Sequence, residues 1–154
     1  MRKFILLTVC GLATFIYCQT QTTTVKIAKV LDGDTYETET GTRIRLYSGD
    51  CPELGQEFGP EAKRYVSGLI LDKSVKVEWK GTDKYGRKLA ELYYPSGSTY
   101  DTLGVHLLRN GYAWALTWHT QYRLIEAEAR QTKRGLWAKG SPTPPFIWRR
   151  QNKK

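Results

Sequence analysis

The sequence predicts an α+β fold in which about five short strands close into a small barrel, with about three helices inserted between or after them. Three observations support this prediction. Apolar and polar residues alternate along several short segments, which is the period of a strand with one buried face. Apolar residues repeat at helical spacing along residues 60–71, and two further segments end at Gly111 and Gly135, as helices often do. A chain of 154 residues with no internal repeat and no linker fits a single domain.

The predicted strands lie in the first two thirds of the chain. Gly41 stands between two alternating segments, which is typical of a β-hairpin. Asp32, Gly33 and Asp34 form a turn signal directly after the first segment. The alternating segments are residues 25–31, 35–40, 42–47, 74–79 and 89–94.

Three helices are predicted, at residues 60–71, 105–110 and 122–134. Pro60 suits the first turn of a helix, and Glu61 favours the positive end of its dipole. This order of strands and helices is typical of a barrel of the oligonucleotide-binding (OB) type. A split sheet with helices on one face fits the same pattern.

Composition and charge exclude several classes of protein and favour an anionic partner. The chain is 40% hydrophobic and 25% charged, which is ordinary for a globular protein and excludes wholesale disorder. Three cysteines are too few for a disulfide scaffold. There are 24 lysines and arginines against 15 acids, a net charge of +9. Such a basic surface favours an anionic partner, either nucleic acid or an acidic membrane.

The N-terminus has the layout of a secretory signal. Arg2 and Lys3 precede an uncharged apolar segment at residues 4–17, and polar residues follow. This segment is shorter than the roughly 20 residues of a membrane span. We therefore predict a signal peptide at residues 1–20, with an undetermined cleavage point, and a secreted protein, extracellular or periplasmic. An uncleaved anchor, a buried helix and a lipoprotein attached through Cys18 are the alternatives.

Loss of the signal would change both the charge and the cysteine content. It removes two of the 24 basic residues and no acid, which leaves +7. It also removes Cys10 and Cys18, so Cys51 stays alone and the domain is expected to fold without an internal disulfide. His106 and His119 are isolated in the sequence, which does not indicate a zinc site.

After the signal, we expect one domain at residues 24–148 and a basic tail at 149–154. The segment from Ser141 onward is rich in proline and in basic residues. Segments of this composition at a chain end often pack loosely, and we expect the same here.

Three polar clusters stand at predicted strand ends: residues 32–35, 45–53 and 83–87. Each is an ordinary turn or loop sequence when taken alone. Carboxylates at strand ends bind hard divalent cations, and nearby arginines bind phosphate bidentately. A carboxylate that does not hold the metal can take a proton from an attacking water. Together the clusters contain the groups needed to hydrolyse a phosphodiester.

These clusters resemble the motifs of the staphylococcal nuclease (thermonuclease) family, and the resemblance covers residues 25–148. The matching segments are D-G-D-T at 32–35, R-L-x-x-x-D-x-P-E at 45–53, G-P-E-A at 59–62, D-K-Y-G-R-x-L-A at 83–90, E-A-E-A at 126–129 and G-L-W at 135–137. The resemblance implies an OB-fold barrel with three helices. It also implies a calcium-dependent enzyme that cuts single- and double-stranded DNA and RNA and leaves 3′-phosphates.

The resemblance also assigns roles to individual positions. Asp34 and Asp50 match the carboxylates that bind Ca²⁺, and Cys51 matches a residue that binds it through the backbone carbonyl. Glu53 matches the general base. Arg45 and Arg87 match the arginines that bind the reacting phosphate, and Lys84 and Tyr85 match residues that contact a second phosphate.

The chain departs from the family at a few positions. Gly49 replaces a branched aliphatic residue beside Asp50, which is expected to loosen that carboxylate. Thr117 and His119 stand where two pocket tyrosines are expected. Trp114 and Trp118 are alternative stacking surfaces for bases, or else core residues.

The sequence therefore predicts a secreted, calcium-dependent, sugar-nonspecific nuclease that acts on DNA and RNA as a monomer, with no stable protein partner. It predicts no membrane contact unless the signal is retained or lipidated. The main alternative is the same barrel binding nucleic acid without cutting it. A third class, a membrane-tethered or structural protein, rests only on the apolar N-terminus.

Overall fold

The computed structural model describes residues 22–116 and 120–152. Within these ranges the strands are β1 (Thr23–Val30), β2 (Thr35–Thr38), β3 (Arg43–Leu46), β4 (Gly49–Asp50), β5 (Ser74–Thr82), β6 (Lys88–Ser96), β7 (Thr99–Thr102) and β8 (Trp114–Ala115). The helices are α1 (Gly59–Ile70), α2 (Leu103–Arg109), α3 (Thr120–Gln131) and α4 (Pro145–Gln151), with a 3₁₀-helix at Gly135–Lys139.

Five strands close into a barrel. The sheet order is β3-β2-β1-β5-β6-β7, and β3 also pairs with β6 in parallel. The closing pairs include Ile44 with Lys88 and Leu46 with Ala90. Strand β7 pairs with β6 and extends the sheet beyond the barrel. The predicted closed OB-type barrel is therefore confirmed, and the alternative of an open split sheet is wrong.

The barrel interior is apolar, as the alternation in the sequence requires. Ile27, Tyr36, Ile44 and Leu46 are fully buried inside it. Helix α1 contributes one apolar face, on which Ala62, Val66 and Ile70 recur every four residues and are buried. Burial of a valine, leucine or isoleucine side chain stabilises the fold by about 1.5–3 kcal/mol.

The C-terminal segment differs from the loosely packed tail expected from the sequence. Residues 145–151 form α4, and Pro145 at its start is buried. The ring of Trp148 lies against Gly55, and the Gln56 side-chain amide donates a hydrogen bond to the Thr143 carbonyl. The expected boundary between domain and tail, at residue 149, falls inside this helix. The prolines and basic residues of this segment are typical of a loosely packed chain end, which is why the sequence pattern did not indicate a helix.

Some sequence predictions fall outside the described ranges. The signal peptide at 1–20, with Cys18, lies there, as do Thr117, Trp118 and His119. No helix within residues 22–116 and 120–152 is long and apolar enough to cross a membrane.

Candidate active site

Three chain segments meet at one end of the barrel: the β1–β2 turn, the exit of β3 and the β5–β6 turn. Antiparallel pairing of β2 with β3 sets Arg45 opposite Thr35, and therefore beside Asp34. Asp50 lies in β4, where it pairs with Trp114 of β8. The strand register thus gathers residues that are far apart in the sequence.

The guanidinium of Arg45 bridges the two carboxylates predicted to bind metal. Its Nη1 donates to Asp34 Oδ1, and its Nη2 donates to Asp50 Oδ1. The Arg45 side chain is only 13% exposed, and Asp34 is buried. Burial alone would lower the pKa of Arg45, but Asp34 and Asp50 outweigh it and the pKa is raised. Arg45 is therefore a permanent cation between two carboxylates.

Asp34 is held on its other side by the backbone of Cys51. The Cys51 N–H donates to Asp34 Oδ2 at 2.5 Å. Burial raises the pKa of the Asp34 carboxyl well above its usual range, and Arg45 opposes this effect. Two charge-assisted contacts fix the orientation of this carboxylate.

The Cys51 side chain is packed inside the protein. A Cβ atom placed on Gly33 would lie 2.6 Å from the Cys51 Cβ, so the β1–β2 turn approaches Cys51 closely because Gly33 has no side chain. Burial raises the pKa of the Cys51 thiol well above its usual range, so the sulfur stays protonated. The predicted metal contact of Cys51 through its carbonyl does not need that sulfur.

Glu53 is held by a residue that the sequence reasoning missed. Arg149 of α4 donates from Nη1 to Glu53 Oε1 at 2.6 Å. It also donates from Nη2 to Asp50 Oδ2 at 2.9 Å and from Nη1 to Asp50 Oδ1 at 3.2 Å. Arg149 lies 96 residues from Glu53 in the chain, and its only sequence signal was the basic end of the protein.

The β5–β6 turn carries the other predicted substrate groups. Asp83 accepts hydrogen bonds from the backbone N–H groups of Tyr85 and Arg87, which fixes the turn. The Arg87 Nε donates to Asp83 Oδ2 at 2.7 Å. Tyr85 is 72% exposed, and the Lys84 ammonium lies 5.1 Å from the centre of its ring. This turn presents an open cationic and aromatic surface.

These segments surround a cavity of about 620 Å³. Its lining contains more basic than acidic side chains, so it favours an anion. The lining residues are Asp32, Arg43, Arg45, Glu53, Lys84, Tyr85, Gly86, Arg87 and Arg149. The structure thus brings together the five residues predicted for catalysis and substrate binding. The predicted metal ligands Asp34, Asp50 and Cys51 are not part of this lining. Asp34 and Asp50 contact its Arg45, and Asp50 lines an adjoining cavity together with Arg45, Arg87 and Arg149.

The structure explains Gly49 and decides the role of Trp114, two of the positions that the sequence analysis singled out. A Cβ on Gly49 would lie 3.2 Å from the Cβ of Ala113, so Ala113 fills much of the space that an aliphatic side chain would take. Trp114 is only 7% exposed and packs edge-on against Trp137 at 5.2 Å. Of the two uses proposed for Trp114, the core one is therefore correct.

The donor chemistry suits a hard cation. Asp34 and Asp50 supply carboxylate oxygens, which Ca²⁺ prefers, whereas the one nearby sulfur is a buried, protonated thiol. Among the described residues, no group of three or more histidines, cysteines or acids is arranged as a metal site. The fit therefore rests on oxygen donors and on the backbone.

Comparison with known proteins agrees with this geometry. Residues 43–139, more than half of the chain, match the family model described as staphylococcal nuclease homologue. The chain belongs to the staphylococcal nuclease family. The matched region contains Arg45, Asp50, Glu53 and Arg87, but Arg149 lies beyond its end.

Curated relatives of the staphylococcal nuclease family cover most of the chain. An uncharacterized endonuclease of Escherichia coli O157:H7 is 37% identical over 80% of this chain and 83% of its own length. An uncharacterized endonuclease of Haemophilus influenzae is 33% identical over 88% of this chain and 78% of its own length. A micrococcal nuclease of Shigella flexneri is 34% identical over 83% of this chain and 81% of its own length.

Proposed function

We propose that this protein is a secreted, calcium-dependent endonuclease that hydrolyses DNA and RNA without regard to the sugar and leaves 3′-phosphates. Membership of a nuclease family supports hydrolysis of nucleic acid. The observation that carries the proposal is the cavity of about 620 Å³ that Arg45, Arg87 and Glu53 line together. Asp34 and Asp50 contact the guanidinium of the Arg45 that lines it.

In this proposal, each side chain has a separate task on the phosphodiester. Arg45 and Arg87 bind the phosphate oxygens and stabilise the negative charge that grows on them as water attacks. Glu53 takes a proton from that water. The new bond joins the water oxygen to phosphorus, and the bond from phosphorus to the 5′ oxygen breaks. The 5′ oxygen leaves and takes a proton from solvent, and the phosphate stays on the 3′ oxygen. Glu53 then releases its proton to solvent, which restores the carboxylate.

Asp34, Asp50 and the Cys51 carbonyl are the groups that would hold Ca²⁺. A calcium ion bound there supplies positive charge for the phosphate oxygens. The Arg45 guanidinium already contacts both carboxylates, and the Cys51 N–H fixes Asp34. These contacts hold Asp34 and Asp50 in place before any ligand binds.

Indifference to sugar and sequence follows from the type of side chain in the cavity. Guanidinium and ammonium groups recognise phosphates, which carry no sequence information. Tyr85 is exposed enough to stack on a base, and stacking is tolerant of sequence. The same groups suit DNA and RNA alike, so we propose both as substrates.

The proposal is tested by incubating residues 22–154 with plasmid DNA and with RNA, in calcium or in excess chelator. We expect both substrates to be cut in calcium only, with 3′-phosphate ends on the products. Undiminished cutting in chelator would remove calcium from the mechanism. Binding of nucleic acid in calcium without any cutting would favour the non-catalytic barrel instead.

We further propose that the protein is exported and acts as a monomer. The charged and apolar pattern of residues 1–20 supports export. The five residues predicted for catalysis and substrate binding line one cavity within a single chain, which supports the proposal of a monomer. N-terminal sequencing of the protein from culture medium or periplasm, with its mass in solution, tests both points. An intact N-terminus in the membrane fraction would contradict export in soluble form.

A further inference from the structure

Helix α4 contacts the active site through its own side chains and the segment before it. The Trp148 ring lies against Gly55, and the Gln56 amide holds the Thr143 carbonyl. Arg149, one residue further on, extends to Asp50 and Glu53. Three separate contacts therefore attach the C-terminal segment to the loop that carries the proposed general base.

The Arg149 guanidinium keeps donors for a ligand. Its three hydrogen bonds to Asp50 and Glu53 use three of the five N–H groups of an arginine. The side chain is 40% exposed and lines the cavity together with Arg45 and Arg87. Its remaining N–H groups can donate to an anion in that cavity.

Arg149 also offsets negative charge near the site where a phosphate would bind. Asp50 and Glu53 are two carboxylates close to the cavity, and Arg45 alone must already serve Asp34 and Asp50. Without Arg149, Glu53 and one oxygen of Asp50 would present unbalanced negative charge to an incoming phosphodiester. The guanidinium both offsets this repulsion and offers donors.

We infer that Arg149 is a substrate-binding residue, the third guanidinium that contacts the phosphodiester beside Arg45 and Arg87. The inference rests on the proposed function, because it names a further contact of the same site. It makes α4 a part of the active site, although α4 lies outside residues 43–139, which match the family model.

The next residue provides a matched control. Arg150 lies on the same helix and carries the same charge, but it is exposed and is not among the residues that line the cavity. Arg149→Ala and Arg150→Ala therefore remove equal charge from adjacent positions. Arg149→Gln is a second test variant, because its amide can still donate to Glu53 and keep α4 attached. Thermal unfolding of all three variants checks that each is folded.

The measurement is the affinity for a fluorescein-labelled single-stranded oligonucleotide in chelator, titrated over a range of salt. We expect Arg149→Ala and Arg149→Gln to bind at least about tenfold more weakly than the wild type, and Arg150→Ala to lose less than about twofold. The slope of log affinity against log salt should fall by about 0.7 for the Arg149 variants, the value for one lost phosphate contact on a single strand.

Two results would overturn the inference. Equal losses in the Arg149 and Arg150 variants would mean that Arg149 acts only through overall charge. Tighter binding by the Arg149 variants would mean that its guanidinium competes with the substrate for the site. A wild type that binds but does not cut would contradict the proposed function while leaving the binding comparison valid.

Discussion

The two halves of the candidate site differ in how firmly the fold holds them. Asp34, Arg45 and Asp50 form a buried cluster in which each charge has an opposite charge or a backbone donor. Lys84 and Tyr85 lie on an exposed turn. Groups that stabilise charge in a reaction need fixed positions, whereas groups that guide a flexible strand do not. Changes in the buried half should therefore affect stability and chemistry, and changes in the exposed half should affect affinity alone.

The largest expected effect on stability comes from Arg45→Ala. It leaves the buried Asp34 without its guanidinium, and breaking a buried ion pair costs about 3–5 kcal/mol. Chemical denaturation measures this change in the free energy of unfolding. Arg43→Ala is the control, because the same strand carries that side chain at 63% exposure and its loss should cost less than about 0.5 kcal/mol. If Arg45→Ala and Arg43→Ala lowered the free energy of unfolding equally, the buried and exposed halves would not differ in how firmly the fold holds them.

The buried carboxyl of Glu91 should make the free energy of unfolding depend on pH, which an exposed carboxyl should not do. Burial raises the pKa of Glu91 to about 7, although its hydrogen bond from Ser48 and the charge of Lys80 lower it. Glu78 and Tyr122 also face this carboxyl. The folded chain binds the Glu91 proton more tightly than the unfolded chain, whose pKa is near 4.5. This contribution to stability is therefore complete below pH 4.5 and is lost as the pH rises through 7.

Glu91→Gln should remove that pH dependence. The pKa difference corresponds to about 3 kcal/mol, so the variant should gain up to this amount relative to wild type at pH 8 and little at pH 4. Denaturation curves between pH 4 and 8 measure it, with Glu39→Gln as an exposed control. Parallel curves for wild type and Glu91→Gln would show that burial does not hold the proton on Glu91.

Tyr85→Ala tests the exposed half. The loss of stacking should weaken oligonucleotide binding by about 1–3 kcal/mol, while the free energy of unfolding stays within about 0.5 kcal/mol. Tyr100→Ala removes an equally large exposed ring outside the cavity and should change neither quantity much. Fluorescence anisotropy and thermal unfolding give both values. A loss of stability without a loss of affinity would assign Tyr85 to the fold instead.

The smallest effect is expected at Cys51. If only its carbonyl serves the site, Cys51→Ala should keep cleavage within about twofold of wild type and cost about 1 kcal/mol of stability for the lost buried sulfur. Reductant should leave the melting temperature of the wild type unchanged. A large loss of activity in Cys51→Ala would show that the thiol takes part.

The sequence was informative wherever structure depends on neighbouring residues. Alternation indicated β1 and β5, and the turn around Gly41, whose φ is 79°, indicated the hairpin of β2 and β3. Motif spacing then indicated which polar residues would meet at the cavity. The roles assigned to these residues stay predictions.

The sequence was uninformative where long-range packing decides. Strands β4 and β8 have two residues each, which is too short for any period, and only their mutual pairing defines them. Arg149 approaches Glu53 because Trp148 and Thr143 hold α4 on the 55–56 segment, and no local pattern encodes that contact. The core position of Trp114 depends in the same way on Trp137, which is distant in the chain.

In the proposed mechanism, this site cuts nucleic acid and Glu53 takes the proton of the attacking water. The most direct measurement is turnover and oligonucleotide affinity in calcium for wild type and Glu53→Gln. General-base assistance is worth about 10²–10⁴ in rate, so the variant should lose that much turnover and keep its affinity within about threefold. Cleavage by Glu53→Gln at the wild-type rate would contradict the account.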